Sequence, residues 1–172
     1  MSSQDRPLGE LLDDLAAQTP APGGGSASAW ATALAAALVE MAASFAGESP
    51  ERPRELRARA LELAEQELTA YGPVLEALRL PKDDPERTDK LAAALSAAAE
   101  SPLEIARVAA EVAQLGEELA ASGNVTLKGD ANAGAELARA AARAAGRLVE
   151  INLVASPDDP RLPEARQLAA GG

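Results

Sequence analysis

The sequence predicts an all-α protein, and three observations support this fold class. Alanine, the strongest helix former, makes up about a quarter of the 172 residues. Aromatic residues account for only 2% and β-branched residues are few, so there is little from which to build strands. Apolar residues recur at helical spacing between segments rich in proline and glycine. We therefore expect an antiparallel bundle of about six helices in a single domain over residues 1–172.

The first two predicted helices flank a segment that cannot be helical. Residues 7–17 have apolar side chains at amphipathic spacing and begin with a proline. Residues 19–25 contain two prolines followed by three glycines, which permit backbone angles closed to other residues. The next helix, about 26–46, is apolar nearly all round and should lie centrally, with Ser26 or Gly25 as its cap.

Gly23, Gly24, Gly25 and Ser26 have two interpretations. A glycine-rich loop that leads into a helix presents backbone N–H groups to an anion or a ligand carbonyl. The simpler interpretation is a tight turn between two closely packed helices.

The middle of the chain predicts a long helix that is interrupted. Gly47 ends the central helix, and Ser49 followed by Pro50 starts the next one, over about 50–79. The pair Gly72-Pro73 should kink or break it. After a loop, Asp84 can cap a fourth helix over about 85–100.

Two more long helices and a tail complete the prediction. Ser101 opens a capping box for a helix over about 102–121. Asp130 can cap the sixth helix, about 131–155. The tail, 156–172, has room for one short helix at 161–170.

Charge and missing residue types narrow the range of functions. The net charge is −11, which argues against a nucleic-acid partner. The absence of histidine and cysteine removes disulfides, thiolate chemistry and the usual zinc sites, so we expect no metal. We find no secretory signal, and the apolar run at 27–39 is too short to span a membrane. A cytoplasmic protein without a membrane partner is expected.

Four polar residues stand out as candidates for chemistry, each with a simpler alternative. Asp130 lies in a polar loop beside a predicted helix start, where an aspartate is by default a cap. Asn152 lies one step off an apolar stripe and is either a cross-link between helices or a ligand contact. Lys82 could equally be a solvated side chain, and Tyr71 a core anchor beside a kink.

Taken together and in order, these segments resemble the cyclodeaminase domain of formiminotransferase-cyclodeaminase and the related bacterial methenyltetrahydrofolate cyclohydrolases. Residues 19–29 resemble that family's T-P-x-P-G-G-G-S-x-x-A opening. The other matching segments are Ala70-Tyr71 with 77–82 (A-x-x-L-P-K), Pro102-Leu103, Gly123-Asn124 with Gly129-Asp130, and Ile151-Asn152-Leu153. The ordered set is far more specific than any one segment.

The resemblance implies a dimerising helical bundle that acts on folate one-carbon derivatives. One family reaction closes 5-formiminotetrahydrofolate to 5,10-methenyltetrahydrofolate, and the other hydrolyses the methenyl ring to 10-formyltetrahydrofolate. By position, Asp130 would stabilise the methenyl cation or activate water. Lys82 and the N–H groups of residues 23–26 would hold the substrate's polar groups, and Asn124 and Asn152 would bond the pterin ring.

Three departures from the family pattern leave a second hypothesis open. Gly129 replaces a serine, Leu148 an asparagine, and Glu67 an aspartate that is common at that position. The scaffold could therefore be a catalytically silent helical dimer that binds a folate or another small ligand, or serves as an interaction module.

Overall fold

The computed structural model describes residues 5–121 and 127–171. These described residues form eight helices and contain no strand, which confirms the all-α prediction. The helices are α1 (Leu8–Ala16), α2 (Gly24–Ala46), α3 (Glu51–Ala70), α4 (Gly72–Arg79), α5 (Arg87–Ala98), α6 (Glu100–Ala121), α7 (Lys128–Asn152) and α8 (Arg161–Ala170).

The helices beyond the predicted six come from two expected features. The predicted helix over 50–79 breaks at Tyr71 into α3 and α4, where Gly72-Pro73 removes a hydrogen-bond donor. The tail supplies α8, at the predicted position. Gly47 ends α2 with φ of 75°, the left-handed conformation that favours glycine at a helix C-terminus.

Helix α2 lies at the centre of the bundle and packs against α3, α6 and α7. It runs antiparallel to α7, since Gly24 lies beside Leu148 and Val39 lies beside Gly134. A Cβ on Gly134 would be 3.0 Å from Val39 Cγ2 and 3.1 Å from the Ala35 carbonyl, so these two helices approach closely. Small residues along both helices permit this approach.

Helix α2 extends beyond the apolar run at 27–39 in both directions. All 23 of its residues are helical, and by length and composition alone the helix is long and apolar enough to cross a membrane. The run at 27–39 is too short to span, but the length of the whole helix is not. The side chains that make α2 so apolar are the same ones that form the bundle core, including Ala29, Ala36 and Val39 at 0% exposure.

Three of the predicted helix caps are wrong, because their helices begin earlier than expected. The N-cap of α2 is Gly23, so Gly25 and Ser26 lie in its first turn. The N-cap of α7 is Leu127, and Asp130 is already helical. Helix α6 begins at Glu100, which places Ser101 inside it. In each case the helix begins one or two residues before the polar residue that was predicted to cap it.

Two other predicted caps, Ser49 and Asp84, precede the observed N-caps Pro50 and Glu86 and bond a backbone N–H at the start of the helix. Ser49 Oγ accepts a hydrogen bond from the Glu51 N–H at 3.4 Å. Asp84 Oδ1 accepts one from the Glu86 N–H at 2.8 Å. Both helices start slightly later than predicted, at residues 51 and 87.

Arg161, at the start of α8, forms hydrogen bonds with the C-terminal part of α5. Arg161 donates hydrogen bonds to the Ser96 carbonyl at 2.8 Å and to Asp159 Oδ2 at 2.7 Å. These bonds to Arg161 lower the pKa of Asp159 to about 2. Its carboxylate therefore stays ionised, and the pair stays formed, throughout the neutral and mildly acidic range.

A glycine in α7 allows α8 to pack closely, which gives a stability prediction. A Cβ on Gly146 would be 2.7 Å from the Ala165 carbonyl oxygen and 2.9 Å from Ala169 Cβ. We expect Gly146→Ala to destabilise the protein by about 1–3 kcal/mol, because backbone must move. Urea unfolding measures this change.

Gly129 in the same helix is the matched control. A Cβ there would meet nothing within 4 Å. Gly129→Ala should leave the free energy of unfolding unchanged or raise it by up to about 1 kcal/mol. Equal losses in the two variants would contradict the packing explanation.

Candidate functional site

The N-terminus of α2 presents backbone N–H groups that no side chain of the described residues caps. Gly23 is extended, with φ of −139°, and makes no side-chain cap hydrogen bond. The first intrahelical bond runs from the Ala27 N–H to the Gly23 carbonyl at 3.0 Å. The N–H groups of residues 24–26 therefore point out of a helix whose dipole is positive at this end.

The glycines of this segment provide space rather than unusual backbone angles. None of residues 23–25 has a positive φ, so the expectation of special backbone angles here was wrong. A Cβ on Gly25 would lie 1.6 Å from Oε2 of Glu67, and a Cβ on Gly24 would be 3.6 Å from Leu148. Gly25 is the residue that allows the α3 carboxyl to reach the α2 backbone.

Three buried polar atoms around this contact have no hydrogen-bond partner among the described residues: Ser26 Oγ, Glu67 Oε1 and Ser101 Oγ. Ser26, which follows Gly25, is only 1% exposed. By contrast, the buried Ser28 and Thr32 hydroxyls in the same helix donate to the carbonyls of Gly24 and Ser28 at 2.7 and 2.8 Å. An unpaired buried polar group costs about 1–3 kcal/mol, so each of these atoms needs an explanation, such as a catalytic role or a bound water or ion.

The Glu67 carboxyl is the titratable group of this cluster. Burial raises its pKa above the usual value, and the nearby Ser101 hydroxyl opposes part of that rise. The Ser101 side chain lies close to the carboxyl without completing a well-aligned hydrogen bond. Among the described residues no charged side chain contributes to this shift. The carboxyl is thus poised to exchange a proton nearer neutrality than an exposed glutamate does.

Tyr71 and Asn152 lie at the same end of the bundle. Tyr71 follows Glu67 by four residues, which places it one helical turn further on the same face. Its side chain is 40% exposed, so it is not a core anchor. Asn152 Nδ2 donates to the Ala98 carbonyl at 2.9 Å, a cross-link between α7 and the end of α5, three residues before Ser101.

Asp130 lies at the end of the bundle opposite to the glycine segment. It is exposed, and 22 helical residues separate it from Asn152, which corresponds to roughly 33 Å. Its neighbour Ala131 packs with Ala42 and Ala120, near the C-terminal ends of α2 and α6. Within one chain, the structure does not bring Asp130 to the glycine segment.

The two remaining predicted ligand residues are not placed at this cluster. Lys82 is exposed in the connection between α4 and α5, and it forms no ion pair with another described residue. Asn124 lies outside the described residues. Their predicted roles remain predictions.

Ser101 was not among the predicted site residues, and Glu67 was noted only as a departure from the family pattern. Ser101 was interpreted as a cap because serine before proline is a common helix start. Residue type alone does not distinguish Glu67 from the other acidic residues of α3. The useful signal was available: a carboxyl near the end of one helix and a glycine pair at the start of the helix it packs against.

An apolar groove begins one turn along α2 from this cluster. It has a volume of about 430 Å³ and lies between α1, α2 and α3, with Trp30, Leu34 and Leu61 in its lining. Trp30 follows Ser26 by four residues, and its buried Nε1 also lacks a partner among the described residues. The groove adds apolar surface beside the polar cluster, as ligand sites usually have.

These features define a helical-bundle protein with a candidate polar site at one end of its central helix. The chain belongs to the formiminotransferase-cyclodeaminase family, whose model matches residues 7–169. It is 32% identical to a methenyltetrahydrofolate cyclohydrolase of Methylorubrum extorquens, over 93% of this chain and 87% of that one.

Two further relatives are cyclodeaminases. A formimidoyltransferase-cyclodeaminase of Sus scrofa is 29% identical over 94% of this chain, which spans only 33% of that protein's length. The crystal structure of a formiminotetrahydrofolate cyclodeaminase from Thermotoga maritima superposes with a TM-score of 0.85 at 28% identity, over 98% of this chain and 90% of that one. The family and fold predictions are confirmed.

Proposed function

We propose that this chain hydrolyses 5,10-methenyltetrahydrofolate to 10-formyltetrahydrofolate at the N-terminus of α2. The chain is a folate one-carbon enzyme of the cyclohydrolase or cyclodeaminase kind. The observation that carries the location is the group of unpaired buried polar atoms of Ser26, Glu67 and Ser101 beside uncapped N–H groups. Closure of 5-formiminotetrahydrofolate with loss of ammonia is the second candidate, favoured by the likeness to the Thermotoga enzyme.

Both reactions need the same kind of site. Each passes through a tetrahedral carbon between two nitrogens, and each involves the methenyl cation as substrate or product. A carboxylate stabilises that cation, and a proton must move between the heteroatoms on the central carbon. In this proposal the exposed carboxylate of Asp130 stabilises the cation or activates the attacking water.

The substrate's polar groups match the donors at this end of the bundle. The N–H groups of residues 24–26 suit a carbonyl or carboxylate of a folate. Tyr71 and Asn152 lie within reach of a ring placed there, and Lys82 and Asn124 are assigned to the same ligand. No metal enters this proposal.

A homodimer brings Asp130 to this site. The outer face of α2 carries exposed apolar side chains seven and four residues apart, at Leu34, Met41 and Phe45, and α7 carries exposed Leu137 and Ile151. A second copy of the chain covers this face in our proposal. Since a two-fold axis across the middle of α2 exchanges the ends of the bundle, Asp130 of one copy comes beside the glycine segment of the other.

The net charge of −11 also argues against a nucleic-acid partner, and the enzyme is cytoplasmic in this proposal. The apolar surface of α2 is assigned to the bundle core and to the second copy, so the proposal includes no membrane partner.

The first test is a spectroscopic assay. Purified protein is added to 5,10-methenyltetrahydrofolate, and the loss of its ultraviolet absorbance is followed beside an Asp130→Asn variant. We expect decay above the buffer rate that vanishes in the variant. No acceleration with either the methenyl or the formimino substrate, together with tight folate binding, would instead favour the silent-scaffold hypothesis.

A further inference from the structure

The carboxyl of Glu67, on α3, lies against the backbone of the glycine segment at the start of α2. It reaches Gly25, beside a serine hydroxyl that is 1% exposed and unpaired. Ser101 supplies a second unpaired hydroxyl from α6. Helices α2, α3 and α6 thus each contribute one buried polar atom that has no hydrogen-bond partner among the described residues.

We propose that Glu67 is a catalytic residue that carries a proton between the heteroatoms of the tetrahedral intermediate. This inference rests on the proposed folate reaction. In hydrolysis, water adds to the methenyl carbon and loses one proton, which gives a neutral tetrahedral carbinol. The Glu67 carboxylate then takes the hydroxyl proton, the carbon–N5 bond breaks as the formyl carbonyl forms on N10, and N5 receives that proton. Atoms and charges balance, with one proton released overall.

The surroundings of Glu67 suit a group that both accepts and gives a proton. A carboxyl with the usual pKa is a weak base, whereas burial here raises the pKa toward the working range. The carboxyl meets the Gly25 backbone from α2 and the Ser101 hydroxyl from α6, and α7 contributes Leu148 against the neighbouring Gly24. Ser101 and Ser26 act as positioning residues, because each can bond the carboxyl or the reacting hydroxyl.

The variants Glu67→Gln and Glu67→Asp test this role. Glutamine keeps the shape and cannot carry the proton, so kcat should fall about 10²- to 10⁴-fold with a small change in KM. Glu67→Asp keeps a carboxyl and should retain a measurable part of the activity. In the wild type, kcat should rise with pH through the raised pKa of Glu67. Glu67→Gln should lose that limb of the profile, and Glu67→Asp should shift it.

Binding is measured separately, through quenching of the single tryptophan by 5-formyltetrahydrofolate. Trp30 lies one turn from Ser26, so its fluorescence reports on this end of α2. Glu67→Gln should bind this folate with a Kd within a few-fold of the wild type, and circular dichroism should show unchanged helicity. A glutamine variant with wild-type kcat and pH profile, or one that loses binding alone, would overturn the inference. A wild-type protein inactive on both folate substrates would instead contradict the proposed function.

Discussion

A heterodimer of two inactive variants should recover about half of the wild-type activity, because a two-fold dimer has two sites and restores one of them. The variants are Glu67→Gln and Asp130→Asn. Within one chain these residues lie at opposite ends of the bundle, and each active site in our proposal takes Glu67 from one copy and Asp130 from the other. In the heterodimer one site receives both native carboxyls, and the other receives neither.

The experiment uses two affinity tags on coexpressed chains, purified in succession so that only the heterodimer remains. The absorbance assay then measures its kcat beside each inactive homodimer. A variant with Leu34→Glu and Phe45→Glu in both chains is the control for the interface, since it places charges on the exposed stripe of α2. We expect it to elute as a monomer and to show no recovery. An inactive heterodimer would show that the two carboxyls do not share a site across the dimer.

The predicted fold was accurate where the sequence contains strong local signals. Alanine content predicted the helices, Gly72-Pro73 predicted the break between α3 and α4, and Gly47 predicted the end of α2. Helix starts were less accurate. Ser26, Ser101 and Asp130 are all good capping residues, and each lies inside its helix. Capping propensity is a local preference, and the packing of neighbouring helices determines where the helix begins.

The candidate site was only partly predictable, because its residues are far apart in the sequence. The glycine segment was identified, yet its partner Glu67 lies about forty residues further on and was one of many acids on a predicted helix. Its contact with Gly25 depends on the register between α2 and α3, which periodicity does not determine. Likewise, Asp130 and Asn152 are both at ends of α7, and only the length of that helix shows that they cannot meet within one chain.

Alanine at Gly25 should reduce kcat by about 10²-fold while the protein stays folded, because a displacement of about 1 Å at a catalytic group has an effect of this size. A Cβ there would lie 1.6 Å from Oε2 and 2.4 Å from Cδ of Glu67. The backbone is already helical at this position, so the methyl group strains no angle. The carboxyl is the mobile end of a flexible side chain, and it moves away from the α2 N-terminus.

Combining Gly25→Ala with Glu67→Gln shows whether Gly25→Ala acts by displacing the Glu67 carboxyl. If Gly25→Ala acts only by displacing the carboxyl, it should lower the remaining activity of Glu67→Gln little further, since changes that act on one group are not additive. Gly9→Ala, in α1 where a Cβ meets nothing within 4 Å, is the control for a glycine change outside the site and should keep the wild-type kcat. Fully additive losses would mean that Gly25 serves the substrate directly, through its backbone N–H group, and that its contact with Glu67 is incidental to catalysis.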